Sequence, residues 1–169
     1  MKALLDTNII INREANKVVS QDIGILYRWL DRGKYTKCIH SVTIEEVKKN
    51  PNKDTVFTFL TKLQSYEVID IPSPMQLAVQ EVSEAIDRTE NDRNDTILLN
   101  EVYVGRADIL ITEDKKIHTK ASLLNITDRV FTIDSFLEKV FAEHPELVNY
   151  KVLNVQKLKF GKIDLKDKF

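Results

Sequence analysis

Short apolar runs and helical repeats alternate along this chain, and that alternation limits the fold more than any other feature of the sequence. Runs at residues 2–5, 37–40, 67–71, 108–112 and 129–133 have the length and apolar content of buried strands. Between them, apolar residues recur at helical spacing. Ile23, Leu26, Tyr27 and Leu30 do so within 22–32, and Val56, Phe59, Leu60 and Leu63 within 54–63. Leu77, Val82 and Ile86 follow within 75–87, then Leu98, Leu99 and Val102 within 92–104, and a short helix is expected over 116–124. The punctuation agrees. Asp6-Thr7-Asn8 reads as a polar turn, Gly33 and Gly105 stop helices, and Pro51 closes a helix that Ser41 or Thr43 can cap. Ser73 and Asp134 are expected to cap the helices that follow them, and Pro145 ends the compact part. Strands alternating with helices predict an α/β fold with a mainly parallel sheet covered on both faces.

The chain has 169 residues, the size of one ordinary domain. We divide it into a domain over 1–145 and a tail over 146–169 that alternates apolar and lysine residues, an edge strand or a linker. No run approaches the roughly 18 apolar residues that cross a bilayer, and the N-terminus carries no cleavage signal. Cys38 is the one cysteine, too few for an internal disulfide or a thiolate zinc site. A cytoplasmic protein with no membrane contact is the expectation.

A net charge of −1 gives no global attraction to nucleic acid. Six lysines against two aspartates from Lys151 onward make the tail basic and leave the rest acidic. Nucleic-acid binding would need local patches. The candidates are Lys48 and Lys49, Arg93, Arg106, and the group Lys115, Lys116 and Lys120, each near an acid in sequence.

Those acids carry the chemical signal. In an open parallel sheet, ligands bind beyond the carboxyl ends of the strands. Two apolar strands end in acid there, Leu4-Leu5-Asp6 and Ile111-Thr112-Glu113-Asp114, although either aspartate would also serve as a helix cap. Asp95 stands three, four and seven residues before Leu98, Leu99 and Val102, so it lies on the buried side of its own helix. A carboxylate there is costly unless a metal or a buried cation compensates it. Asp92 is one turn earlier on the same side and is also a possible N-cap. Glu45 and Glu46 both flank the apolar face made by Ile44 and Val47, and periodicity does not choose between them. Several acids converging on one rim would repel one another unless a divalent cation joined them. Hard oxygen donors suit Mg2+ or Mn2+, and such ions favour phosphodiester hydrolysis.

At four places the sequence resembles the PIN-domain nucleases. Leu4-Leu5-Asp6-Thr7-Asn8 is similar to their first motif, and Ser41-Val42-Thr43-Ile44-Glu45-Glu46-Val47 to the second, in a register that selects Glu46. Asp95-Thr96-Ile97-Leu98-Leu99 resembles the third, and Ala107-Asp108-Ile109-Leu110-Ile111-Thr112-Glu113-Asp114 the fourth. The resemblance runs over residues 1–143. It implies a three-layer α/β/α fold around a five-stranded sheet, and Mg2+- or Mn2+-dependent cleavage of single-stranded RNA that leaves 5′-phosphate and 3′-hydroxyl ends. It implies catalytic and metal-site roles for Asp6, Glu46, Asp95 and Asp114, and orienting roles for Asn8 and Thr112. Asp92 is a further supporting acid, and Arg93, Lys115 and Lys116 are candidate substrate contacts.

Many members of that family are toxins of toxin–antitoxin pairs and often dimers, so an antitoxin and a homodimer are expected partners. The tail, with Phe160-Gly161-Lys162-Ile163-Asp164-Leu165, is similar to the junction of proteins that fuse a PIN domain to a GNAT acetyltransferase. Its end at Asp167-Lys168-Phe169 suits a chain cut from something longer.

Other readings fit less well. A haloacid-dehalogenase phosphatase needs a second aspartate where Asn8 stands, and a receiver domain needs an acidic pair after the first strand. A catalytically silent PIN scaffold that binds RNA or protein would be favoured by a missing acid, and all four are present. His40, His118 and His144 show no ligand spacing, and Tyr27, Trp29 and Tyr35 read as packing residues.

Overall fold

The computed structural model describes residues 1–14 and 21–144. The expected tail over 146–169 lies outside the described residues. Among the described residues, five parallel strands form one sheet in the order β3-β2-β1-β4-β5: β1 Lys2–Leu5, β2 Thr36–His40, β3 Glu67–Ile69, β4 Ile109–Ile111 and β5 Val130–Phe131. Leu4 sits opposite Cys38 of β2 and Leu110 of β4, so β1 is the centre of the sheet. The chain builds outward from β1 to β3, then returns to lay β4 on the other side of β1. That reversal opens a crevice past the ends of β1 and β4, where α/β sheets bind ligands.

Among the described residues, eight α-helices cover the sheet: α1 Thr7–Glu14, α2 Gln21–Arg32, α3 Ser41–Lys48, α4 Lys53–Lys62, α5 Leu77–Ile86, α6 Glu90–Tyr103, α7 Lys115–Leu123 and α8 Ile133–Glu143. Side chains alternate across the pleat, and the two faces build two cores. Ala3, Leu5, Ile39, Ile109 and Ile111 pack under α1, α2, α4 and α8 through Ile9, Ile10, Leu26, Leu30, Phe59, Phe136 and Val140. Leu4, Cys38, Ile69, Leu110 and Val130 pack under α5, α6 and α7 through Val79, Leu98, Leu99, Val102, Ile117 and Ala121. The layers are α/β/α, as expected. No helix among the described residues is long and apolar enough to cross a membrane.

The element boundaries differ from expectation where tertiary contacts decide them. Asp6-Thr7-Asn8 does not form a turn. Helix α1 starts directly after Asp6, whose carbonyl accepts from the Ile9 and Ile10 amides at 3.0 and 3.2 Å. The β-branched run Ile9-Ile10-Ile11 is a weak helix former, and burial of Ile9 and Ile10 outweighs that preference. Neither Ser41 nor Thr43 caps α3. His40 does, with Nδ1 accepting from the Val42 amide at 3.2 Å. Helix α8 is capped by Thr132, not Asp134, and α6 by Thr89, with Asp92 closing the capping box. Ser73 caps nothing. Its amide and hydroxyl donate to the buried Glu101 carboxylate at 2.6 and 2.8 Å.

Lys120 is the largest departure. Expected in a surface patch, it is fully buried, with Nζ 2.5 Å from Asp87 Oδ1. Nζ also donates to the Asp92 carbonyl and to Thr96 Oγ1, both at 2.7 Å. Asp87 is itself nearly enclosed, and its other oxygen accepts from Ser83 and Thr96. The network joins the end of α5 and the start of α6 to α7. Lys120→Ala would strand a buried carboxylate and should cost about 3–5 kcal/mol, whereas Lys139→Ala, which breaks an exposed pair, should cost at most about 1 kcal/mol. Urea denaturation of both variants checks this, and equal midpoints would refute it.

Candidate functional site

Four acids distant in sequence line one cleft at the carboxyl end of the sheet. The cleft holds about 400 Å³ and is bounded by Asp6, Thr7, Asn8, Ile11, Glu46, Lys49, Asn91, Asp95 and Asp114. Asp6 leaves β1, and Asp114 follows the adjacent β4, whose Ile111 is opposite Leu5. Glu46 comes from the last turn of α3 and Asp95 from the second turn of α6. Glu45 points elsewhere, exposed and paired with Lys48 at 2.8 Å.

Neutral donors hold the carboxylates in place. The Thr7 amide donates to Asp6 Oδ1 at 2.6 Å, while Asn8 Nδ2 and Thr112 Oγ1 donate to Oδ2 at 2.7 and 2.6 Å. The Thr112 hydroxyl in turn accepts from the Asp114 amide at 3.0 Å, so one side chain links both strand ends. His118 Nε2 stands 3.1 Å from the Thr112 carbonyl and donates to it. Asp114 plays both roles that its position allows. Its Oδ1 caps α7, accepting from the Lys116 and Ile117 amides at 2.6 and 3.2 Å, and it also lines the cleft. Glu46 Oε1 accepts from Asn94 Nδ2 at 2.8 Å, and Oε2 accepts from the Thr7 hydroxyl.

Burial and mutual repulsion shift two of these acids. Asp6 is pushed up to about 6, chiefly by burial, against hydrogen bonds from Thr112 and Thr7 and with the charges of Glu46 and Asp114 adding to the rise. Asp95 is pushed up to about 7, again by burial first, then by Asp6 and Asp114, with Lys120 opposing. Among the described residues, no group of three or more His, Cys, Asp or Glu side chains is arranged so that it could hold a metal ion as it stands.

The remaining expected residues lie apart from this lining. Asp92 is buried behind it, with Oδ2 accepting from the Arg88 and Thr89 amides at 3.0 Å each and Oδ1 2.6 Å from Lys116 Nζ. The Lys116 hydrogen bond holds the Asp92 carboxyl well below the usual range. Lys116 is thereby committed, and Arg93 and Lys115 are exposed outside the lining. Glu113 accepts from the Ile133 amide at 2.8 Å and ties the loop after β4 to α8. Arg106 donates to the Ile71 carbonyl and lies 3.7 Å from Glu101. Sequence reasoning missed Thr7, Asn94 and Asn91, whereas Lys49 was among its basic candidates and does border the cleft. Thr7 and Asn94 each stand one position from a predicted acid, and that adjacency was the available signal.

No family model matches the chain, and no curated protein does. Among solved structures, it is similar to a chain of VapBC2 from Rickettsia felis, crystallised with a DNA fragment from their promoter. The two are 17% identical with a TM-score of 0.54, over 78% of this chain and 98% of that one. At that identity the likeness is one of fold, and the five-stranded parallel sheet between helical layers is PIN-like.

The raised Asp95 carries a pH consequence. Well below pH 4 the residue is neutral in both folded and unfolded chains. As pH rises from 4 through 7 the unfolded chain ionises first, so the metal-free fold loses stability over that window. Asp95→Asn removes the penalty. In chelator, the variant should melt a few degrees above wild type at pH 8, with most of the gain gone by pH 4. A gain of equal size at both pH values would show that ionisation is not its source.

Proposed function

We propose that this protein is a metal-dependent endoribonuclease that hydrolyses phosphodiester bonds in single-stranded RNA. One observation carries the reading. Asp6, Glu46, Asp95 and Asp114, separated by up to 108 positions, border one cleft at the switch point of a PIN-like sheet. The donor set is all carboxylate oxygen with neutral amide and hydroxyl neighbours, which suits Mg2+ or Mn2+. Burial first, and then the charges of the neighbouring acids, raise Asp6 and Asp95, which supports a cluster that gains from a bound cation. Asn8 Oδ1, buried beside Asp6, accepts no hydrogen bond and is free to receive one from a water.

When bound, Mg2+ or Mn2+ would polarise a phosphodiester and activate water for in-line attack, leaving 5′-phosphate and 3′-hydroxyl ends. The chain's residues set the geometry for that chemistry. Thr112, Asn8 and the Thr7 amide aim the Asp6 carboxylate, and Asn94 with Thr7 aims Glu46. Asp95 holds a proton near neutrality without a cation, so cation binding must release it, and affinity should rise with pH. The sequence resemblance to PIN-domain toxins implies a protein partner of antitoxin type and a homodimer, and the likeness to a chain of the VapBC2 complex supports the protein partner. Fusion to an acetyltransferase rests on the tail alone, outside the described residues.

A second reading draws on the absence of a ready-made three-acid group among the described residues: a scaffold that binds RNA or protein without cutting it. Titration with Mn2+ separates the two. The nuclease should gain melting temperature with millimolar Mn2+, more at pH 8 than at pH 6, and a scaffold should not respond. The enzyme should also cut unstructured RNA with Mn2+ or Mg2+, stop in chelator, and lose at least about a hundredfold in rate in Asp6→Asn or Asp95→Asn. Cleavage by both variants at the wild-type rate would sink the proposal.

A further inference from the structure

A cleft bordered by four carboxylates repels a polyanion, and one divalent ion neutralises only part of that charge. A nucleic acid therefore needs a cation at the cleft itself. Among the described residues that border it, one is basic: Lys49.

The other basic residues near the site are occupied or displaced. Lys116 is bound to the buried Asp92 at 2.6 Å, Lys120 is enclosed against Asp87, and Lys48 pairs with Glu45 at 2.8 Å. Arg93 and Lys115 do not border the cleft. Lys49 differs from all of these. It follows α3 as its C-cap, three positions beyond Glu46, so the same helix end presents an acid and a cation to one cavity. Its ammonium lies 3.7 Å from Glu90 at the start of α6, with both side chains more than two-thirds exposed. An open pair at that distance contributes little and exchanges readily for a phosphate oxygen. Asn91, next to Glu90, borders the same cleft and adds an amide donor on that side.

We infer that Lys49 is the phosphate anchor of this cleft. It takes a backbone phosphate of a single-stranded nucleic acid from Glu90 and seats the strand across the four carboxylates, with Asn91 as a neutral partner. This assignment rests on the nuclease reading given above. It goes further by fixing the side on which the strand enters, the junction of α3 with α6, and not the side of Arg93, Lys115 and Lys116.

The test uses a fluorescent single-stranded RNA oligonucleotide, with Ca2+ present during binding and Mn2+ during cleavage. Wild type, Lys49→Gln and Lys49→Arg are compared from low to moderate KCl. Lys49→Gln should weaken binding about fivefold, the worth of one exposed charge contact. Its slope of log affinity against log salt should fall by about 0.7, the value for one phosphate on a single strand. KM should rise with kcat nearly unchanged, and Lys49→Arg should restore binding. Loss of a positive charge beside the acids should leave the Mn2+-induced gain in melting temperature intact or larger, which a folding defect would not. A Lys49→Gln protein with wild-type affinity and salt slope, alongside an active wild type, overturns the anchor alone. A wild type that neither binds nor cuts RNA overturns the nuclease reading and the anchor with it.

Discussion

Because β1 pairs in parallel with both β2 and β4, the chain leaves the sheet at the same end after each strand, and everything polar that the strands deliver arrives there. The two faces are closed by helices and filled by aliphatic side chains, so the strand ends are where the sheet meets solvent. The reversal of strand order at β1 keeps the helices after β1 and β4 from covering the same ground. The cleft is the space that this leaves, and Asp6 and Asp114 stand at its two nearest edges.

Holding negative charge at that place requires two kinds of compensation. The first is hydrogen bonding by neutral groups. Asp6 receives three donors, and Glu46 receives one on each oxygen. These fix orientation and oppose the rise, but burial outweighs them, and Asp6 remains a weaker acid than an exposed aspartate. The second is the buried Lys120, which stabilises Asp87 directly and Asp95 at longer range. Its contacts also bind α7 to the first turns of α6, so the helix that carries Asp95 is anchored from behind. Lys120, the one enclosed lysine or arginine among the described residues, thus places the site and leaves the site's own charge largely unbalanced.

Much of this was legible in the sequence, and the exceptions have physical causes. Apolar runs and helical stripes predicted all five strands, because burial on both faces of a parallel sheet leaves few other solutions. The stripe through Leu98, Leu99 and Val102 turned Asp95 inward, and the residue does border the cleft. Helix α1 escaped notice because its isoleucines favour strands locally and become helical only through packing. His40 was missed as a cap because imidazole rarely serves as one, and here the end of β2 leaves it in place to do so. Lys120 was assigned to the surface because sequence shows a charge but not the buried Asp87 waiting to pair with it. Thr7 and Asn94 contact Glu46 across 39 and 48 positions, a relation no local pattern contains.

The bond from the Thr112 hydroxyl to Asp6 spans 106 positions, and the Thr112 hydroxyl also receives the Asp114 amide. The cleft therefore has no early form. A chain growing from its N-terminus can complete α1, β2 and α3, and even present Glu46, while Asp6 still lacks the neighbour that orients it. Only when β4 has been made and laid against β1 do the first and last of the four acids face each other. Whatever work the cleft does is withheld until the domain is nearly whole, a delay written into the order of the strands.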